Sequence, residues 1–208
     1  MKVVPYFIYL YLGFYGTLLC AADVSTHSFA GCAFPDTNQA ICYDSSGGVI
    51  ACPAPGNSLA QDGSYASSVS TMSFTIYNGV DWGGTATSSV TVDNRTGLMW
   101  VHRTADAGIS GTHTWLNALA ACEGLPYAGF SDWRLPNARE LLSLVDYVVD
   151  AEPKINTTYF PGTVSNYYWT STTSGSSYAW RMNFTTGMLG NYSKTGNYYV
   201  RCVRAGPP

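Results

Sequence analysis

From residue 73 onward the apolar positions fall into short runs whose period changes twice. Phe74-Thr75-Ile76 and Val90-Thr91-Val92 alternate with period two, and Leu98-Met99-Trp100-Val101 is a continuous apolar run behind the turn cluster Asp93-Asn94-Arg95-Thr96-Gly97, so each predicts a strand. The period then lengthens. Trp115, Ala118, Leu119 and Cys122 stand at i, i+3, i+4 and i+7, with Thr114 placed to cap the start and Gly124 to end it, which predicts a helix. A second helix is predicted after Leu135-Pro136. Asn137 is its cap, Glu140 stands in capping-box position, and Leu141, Leu144, Val145 and Val148 form an apolar face. Beyond Pro153 strand signals return at Tyr167-Tyr168-Trp169, from Tyr178 to Phe184 and from Tyr198 to Val203. In the middle run Tyr178, Trp180, Met182 and Phe184 share one face. Trp180, Met182 and Phe184 are expected to pack inward, with Arg181 and Asn183 pointing the other way.

Strands, two helices and at least three further strands describe an α+β domain with a twisted antiparallel sheet, over residues 73–208, rather than a doubly wound fold. Residues 23–72 are rich in Gly, Ser, Pro and Asn and show no helical period. Within them Cys42 to Cys52 frames a Ser-Ser-Gly-Gly turn, so a short β-hairpin closed by a Cys42–Cys52 disulfide is expected, with Cys32 left spare or free for a neighbouring chain.

Residues 1–22 bring in the compartment. Lys2, an uncharged apolar run from Val3 to Leu19 and Cys20-Ala21-Ala22 form a signal-peptide pattern with cleavage after Ala21 or Ala22. The alternatives are an uncleaved anchor, for which the run is short and broken by Pro5, Gly13 and Gly16, and a lipoprotein attached through Cys20, against which Leu19 is too large. Export predicts a secreted, periplasmic or outer-surface protein, no membrane span after cleavage, and cysteines used as disulfides. Composition agrees: 11% charged residues, 21 Gly, 16 Tyr and 6 Trp describe turns and aromatic surface. A formal charge of −3 supplies no basic field for phosphate backbones, so nucleic acid is not an expected partner.

For catalysis the chain offers His27, His102 and His113, with no Gly-x-Ser-x-Gly, His-Glu-x-x-His or Cys-x-x-Cys, and the reading is a non-enzyme. Asp132, Asp146, Asp150 and Glu152 match no calcium-loop spacing and are read as solvated carboxylates, so neither a metal nor a cofactor is expected. Asp132-Trp133-Arg134 is read as a turn fixed by its arginine rather than an anion grip. Sequons at Asn94, Asn156, Asn183 and Asn191 mark polar loops. The stretch from Ser171 to Tyr199 is dense in Ser, Gly, Asn and Tyr, residues that give recognition surfaces adaptable polar contacts and rigid aromatic area. Its candidate contacts are Tyr178, Arg181, Asn183, Asn191, Tyr192 and Lys194; a generic β-surface would look similar.

Taken in order, Thr96-Gly97-Leu98-Met99-Trp100, Thr114-Trp115-Leu116-Asn117-Ala118, Asp132-Trp133-Arg134-Leu135-Pro136, Glu140-Leu141, Tyr168-Trp169-Thr170-Ser171-Thr172 and Val200-Arg201-Cys202-Val203-Arg204 resemble the C-terminal domain family of the Legionella collagen-like adhesin. The resemblance covers roughly residues 73–205. It implies a C-type-lectin-like fold, and with it a disulfide between Cys122 in the first helix and Cys202 in the last strand. The hairpin with Gln61-Asp62-Gly63 resembles a module that often precedes such domains. The chain lacks a collagen-like tract, so the adhesin's trimerisation is not carried over. The calcium-dependent lectin triplets are also missing; Trp169-Thr170-Ser171 stands where Trp-Asn-Asp would be, so calcium-bridged sugar binding is not expected. Formylglycine-generating enzymes share the broad fold, but they need a reactive cysteine pair where this chain has a structural staple. The expected function is a secreted or cell-surface, adhesin-like or lectin-like module recognising a glycan or a protein on a surface. The alternative is a structural subunit of an extracellular assembly joined through Cys32 or a strand edge, and either accommodates a homo-oligomer.

Overall fold

The computed structural model describes residues 39–65, 72–78 and 88–206, all within one compact unit, Phe34–Pro208. The leader and Cys32 lie outside the described residues. Among the described residues no helix is long and apolar enough to cross a membrane.

The first element is the expected hairpin. Strands β1 (Cys42–Tyr43) and β2 (Val49–Ile50) pair antiparallel, and the Cys42–Cys52 disulfide closes them. The Asp44 carboxylate organises the turn, accepting hydrogen bonds from the Ser46 hydroxyl and from the Ser46 and Gly48 amides. Those bonds, the Ser46 hydroxyl first, hold its pKa below the ordinary carboxylate range. Gln61, just before a 3-10 turn at Asp62–Tyr65, trades side-chain hydrogen bonds with both backbone groups of Tyr43 and so adds a third piece to the hairpin.

The main body is α+β. Strands β3 (Phe74–Tyr77), β4 (Val90–Asp93), β5 (Met99–Val101) and β9 (Val203–Arg204) form a four-stranded antiparallel sheet in that order. Strands β6 (Tyr167–Thr173), β7 (Tyr178–Asn183) and β8 (Met188–Ser193) form a three-stranded antiparallel meander. Helices α1 (Trp115–Glu123) and α2 (Ala138–Leu142) lie between β5 and β6 in sequence.

Two buried clusters hold these pieces together, and strand alternation explains the division. In β5, Met99 and Val101 enter one cluster while Trp100, between them, enters the other. In β6, Trp169 joins the first cluster, with Cys122, Trp133 and Leu135, and Tyr168 joins the second, with Leu141, Phe160, Met182 and Phe184. The continuous apolar runs are therefore strands covered on both sides. The Cys122–Cys202 disulfide, fully buried, ties α1 to the segment that enters β9, with Cα atoms 5.5 Å apart.

Three local expectations need correction. Thr114 has the extended backbone of a cap, but its side chain makes no capping hydrogen bond. Helix α2 carries the full Asn137–Glu140 capping box yet stops at Leu142. The next turn tightens through i to i−3 bonds at Leu144 and Val145, and Asp146 is captured by the Lys154 carbonyl; Val148 is left exposed while Leu144 and Val145 remain buried. Met182 in β7 and Phe184 just beyond its end are fully buried, but Trp180 is only half-buried. The second cluster sits under the Met182 end of the strand, and Trp180 pairs with exposed Asn191 beyond it.

Candidate functional site

The segment singled out as a recognition surface is the β6–β7–β8 meander. Directly paired residues of an antiparallel sheet share a face, so Trp169, Arg181 and Gly190 form one rung and Ala179 with Tyr192 another on the same side. On that side the Arg181 guanidinium lies 3.6 Å from the centre of the Tyr167 ring and 4.3 Å from each of the Tyr192 and Tyr198 rings. Tyr198 belongs to no strand; it is held by a reciprocal pair of backbone hydrogen bonds with His113. Its ring meets Tyr167, Tyr192 and Trp169 edge-on, at 5.6, 5.7 and 4.9 Å. Burial pushes the Tyr198 hydroxyl pKa up, against the opposing charge of Arg181.

A guanidinium stacked on aromatic rings keeps its in-plane N–H groups available. Among the described residues the Arg181 side chain makes no hydrogen bond or ion pair; its Nε is buried without a partner, while the two terminal nitrogens reach the surface.

Lys194 is further along the same side, where its backbone amide extends the ladder by donating to the Ser177 carbonyl. Its amine is spoken for: Nζ donates to the Ser176 carbonyl at 2.9 Å and the Gly175 carbonyl at 3.4 Å, and lies 4.4 Å from the Trp115 ring. Trp115, in turn, donates its indole N–H to the Thr170 carbonyl and its amide to the Lys194 carbonyl. An open pocket of about 390 Å³ lies here, lined by Thr114, Trp115, Leu116, Ser176, Lys194 and Thr195.

The six candidate contacts thus divide. Arg181 and Tyr192 are in contact and Lys194 continues their side. Asn191 pairs with Trp180, and Tyr178 alternates with it, so both belong to the opposite face, where Asn191 donates to the Ser174 hydroxyl. Asn183 accepts a hydrogen bond from the Thr185 amide and shapes the β7–β8 turn. Tyr167, Tyr198 and Trp115 were missed as site residues. The aromatic density around them was visible, but their convergence on Arg181 and Lys194 depends on cross-strand register.

Arg134 serves structure, as expected of that motif, and Asp132, read from the sequence as a solvated carboxylate, is instead tied to an arginine. Asp132 pairs with Arg204 at 2.7 Å, and Arg134 grips Glu140 through two hydrogen bonds of 2.8 and 2.7 Å. Among the described residues no group of three His, Cys, Asp or Glu is placed to hold a metal ion.

The profile of the Lcl C-terminal domain matches residues 89–204, more than half the chain. The chain belongs to the Lcl C-terminal domain family. No curated protein matches it. The matched Lcl C-terminal domain runs from just before β4 to the end of β9, so it contains both helices, the Cys122–Cys202 disulfide and the whole Arg181 cluster. The hairpin and β3 precede it. Membership is consistent with a surface-associated domain.

Proposed function

We propose that this Lcl C-terminal domain is a non-enzymatic, C-type-lectin-like binding module of an exported protein, secreted, periplasmic or displayed on the outer surface, and that it recognises a glycan or another surface macromolecule. The observation that carries the reading is Arg181: a cation gathered by three tyrosines, with two terminal nitrogens at the surface and no hydrogen-bond or ion-pair partner for its side chain among the described residues. Aromatic faces beside unpaired donors are what a sugar ring needs, since its C–H face stacks while its hydroxyls bond. Two helices and a disulfide from the first helix to the C-terminal strand support the lectin-like frame, and the two disulfides support export. The test is a glycan array with the full chain, repeated with Tyr192→Ala. Binding that the folded variant weakens is the expected result; no binding to any glycan refutes the glycan reading, and full binding by the variant refutes this site.

A second reading, a structural subunit joined through strand edges, is favoured by one feature. β8 is one of the two outer strands of its sheet, and Met188–Ser193 contains no charge and no proline to guard it. Open-ended oligomers on size exclusion, lost on introducing Leu189→Lys, would establish that reading instead.

A further inference from the structure

Charge is distributed unevenly along this chain. Residues 153–208 contain no Asp or Glu, yet carry Lys154, Arg181, Lys194, Arg201 and Arg204, within a protein whose formal charge is −3. Four of these cations are committed to the fold. Lys154 donates to the Val149 carbonyl, Lys194 to the Gly175 and Ser176 carbonyls, and Arg204 to Asp132. Arg201 is fully buried, donating to the Val101 and His102 carbonyls and the Thr163 hydroxyl. Among the described residues the Arg181 side chain alone of the five has no hydrogen-bond or ion-pair partner, and no carboxylate of its own segment can supply one.

Building on the glycan reading, we propose that Arg181 receives the carboxylate of an acidic sugar, a uronic or sialic acid residue. The geometry points to that group in three ways. Rings pack around the guanidinium and Nε is buried, so the donors left at the surface are the two terminal nitrogens. Two parallel N–H donors match the two coplanar oxygens of one carboxylate. A sulfate ester would bring a third oxygen, for which the end of the Arg181 guanidinium has no third N–H donor beside the terminal pair, its Nε being buried. Finally, exposed Tyr192 lies against the guanidinium, and in these acids the carboxylate is attached directly to the sugar ring. One residue can therefore stack on Tyr192 while its carboxylate reaches Arg181.

The test uses matched ligands on the full chain: oligogalacturonate against its methyl ester, and sialyllactose against lactose, with dextran sulfate and poly-L-glutamate as competing anions. Each acid should bind at least about tenfold tighter than its neutral partner, the lower end of what hydrogen bonds to a charged group supply. Arg181→Gln should abolish that preference and Arg181→Lys should keep part of it. The Arg181 side-chain N–H resonances of the wild type should shift with oligogalacturonate and not with the ester. The ester comparison needs no variant, so it decides the matter even if Arg181→Gln does not fold. Equal binding of acid and ester, or a preference that survives in folded Arg181→Gln, overturns the carboxylate assignment and leaves the glycan reading standing. Tighter binding of dextran sulfate than of either acid overturns it in favour of sulfate, and tighter binding of poly-L-glutamate in favour of a protein partner. Absence of binding to every saccharide removes both the assignment and the glycan reading.

Discussion

The Arg181 guanidinium is stacked 3.6 Å from the centre of the Tyr167 ring, although the two residues are not direct cross-strand partners: Tyr167 pairs with Asn183 and Arg181 with Trp169. The contact is diagonal, which long side chains on one face of a sheet can make. It orients the arginine without using any of its hydrogen-bond donors.

Tyr167→Leu should therefore keep the apolar area and lose the ring's attraction for the cation. Stability should fall by about 1 kcal/mol, the scale of a partly exposed cation–π contact. Ligand affinity should fall further, because the guanidinium is then free to rotate. Denaturant unfolding and titration of the same sample check both; equal losses would mean that Tyr167 has only a structural role.

Removing the Cys122–Cys202 disulfide, which spans 80 residues, should cost about 4 to 5 kcal/mol by the loop-closure relation. Urea unfolding of the Cys122→Ala/Cys202→Ala protein against wild type measures this, and a loss under 1 kcal/mol would show that the staple is dispensable.

In β7 and at Phe184, the residue that follows it, the cost of truncation should follow burial rather than side-chain size. Met182→Ala should destabilise by about 2 to 5 kcal/mol, the range for a buried methionine, and Phe184→Ala by about 3 to 5. Half-buried Trp180→Ala should cost less than either, an ordering that thermal melts of the three variants would test.

Glu140 should contribute to acid sensitivity. Burial raises its carboxyl pKa, but the Arg134 guanidinium and the Asn137 amide outweigh that and hold it below the ordinary value. A folded-state pKa below the unfolded one gives stability that is present above the unfolded value of about 4.3 and is lost as pH falls through the folded value. Glu140→Gln should thus be less stable than wild type at pH 7 and lose less on acidification from pH 5 to 3. Parallel pH curves for the two proteins would contradict this.

Ligand binding should survive EDTA, because the charge at the candidate site is carried by Arg181 and the described residues hold no acidic cluster for a cation. Loss of binding in EDTA with recovery in calcium would place the site elsewhere.

Local signals in the chain were read correctly where the physics is local. The capping box needs only Asn137 and Glu140, three residues apart, and it formed. The disulfide-closed hairpin needs only a turn between Cys42 and Cys52, and it formed. Alternation from Tyr178 to Phe184 assigned Met182 and Phe184 to the core. What alternation does not encode is how far the core extends beneath a strand, so Trp180 was placed too deep. Periodicity likewise carried α2 on to Val148, whereas Asp146 is held by Lys154 from a later loop.

The amino-acid sequence by itself determined the order of strands and helices, the family motifs, the Cys42–Cys52 pair and the absence of acidic residues after Glu152, because each is a property of neighbours or of composition, while the Cys122–Cys202 pair, 80 residues apart, was implied by the family resemblance. Only the tertiary structure decided that Tyr167, Arg181, Tyr192 and Tyr198 meet, that Lys194 is locked to backbone carbonyls, and that Tyr178 and Asn191 face away. The reason is register. A shift of one residue between paired strands turns every side chain to the other face, and that shift is set by packing across the whole sheet rather than by spacing along any one strand.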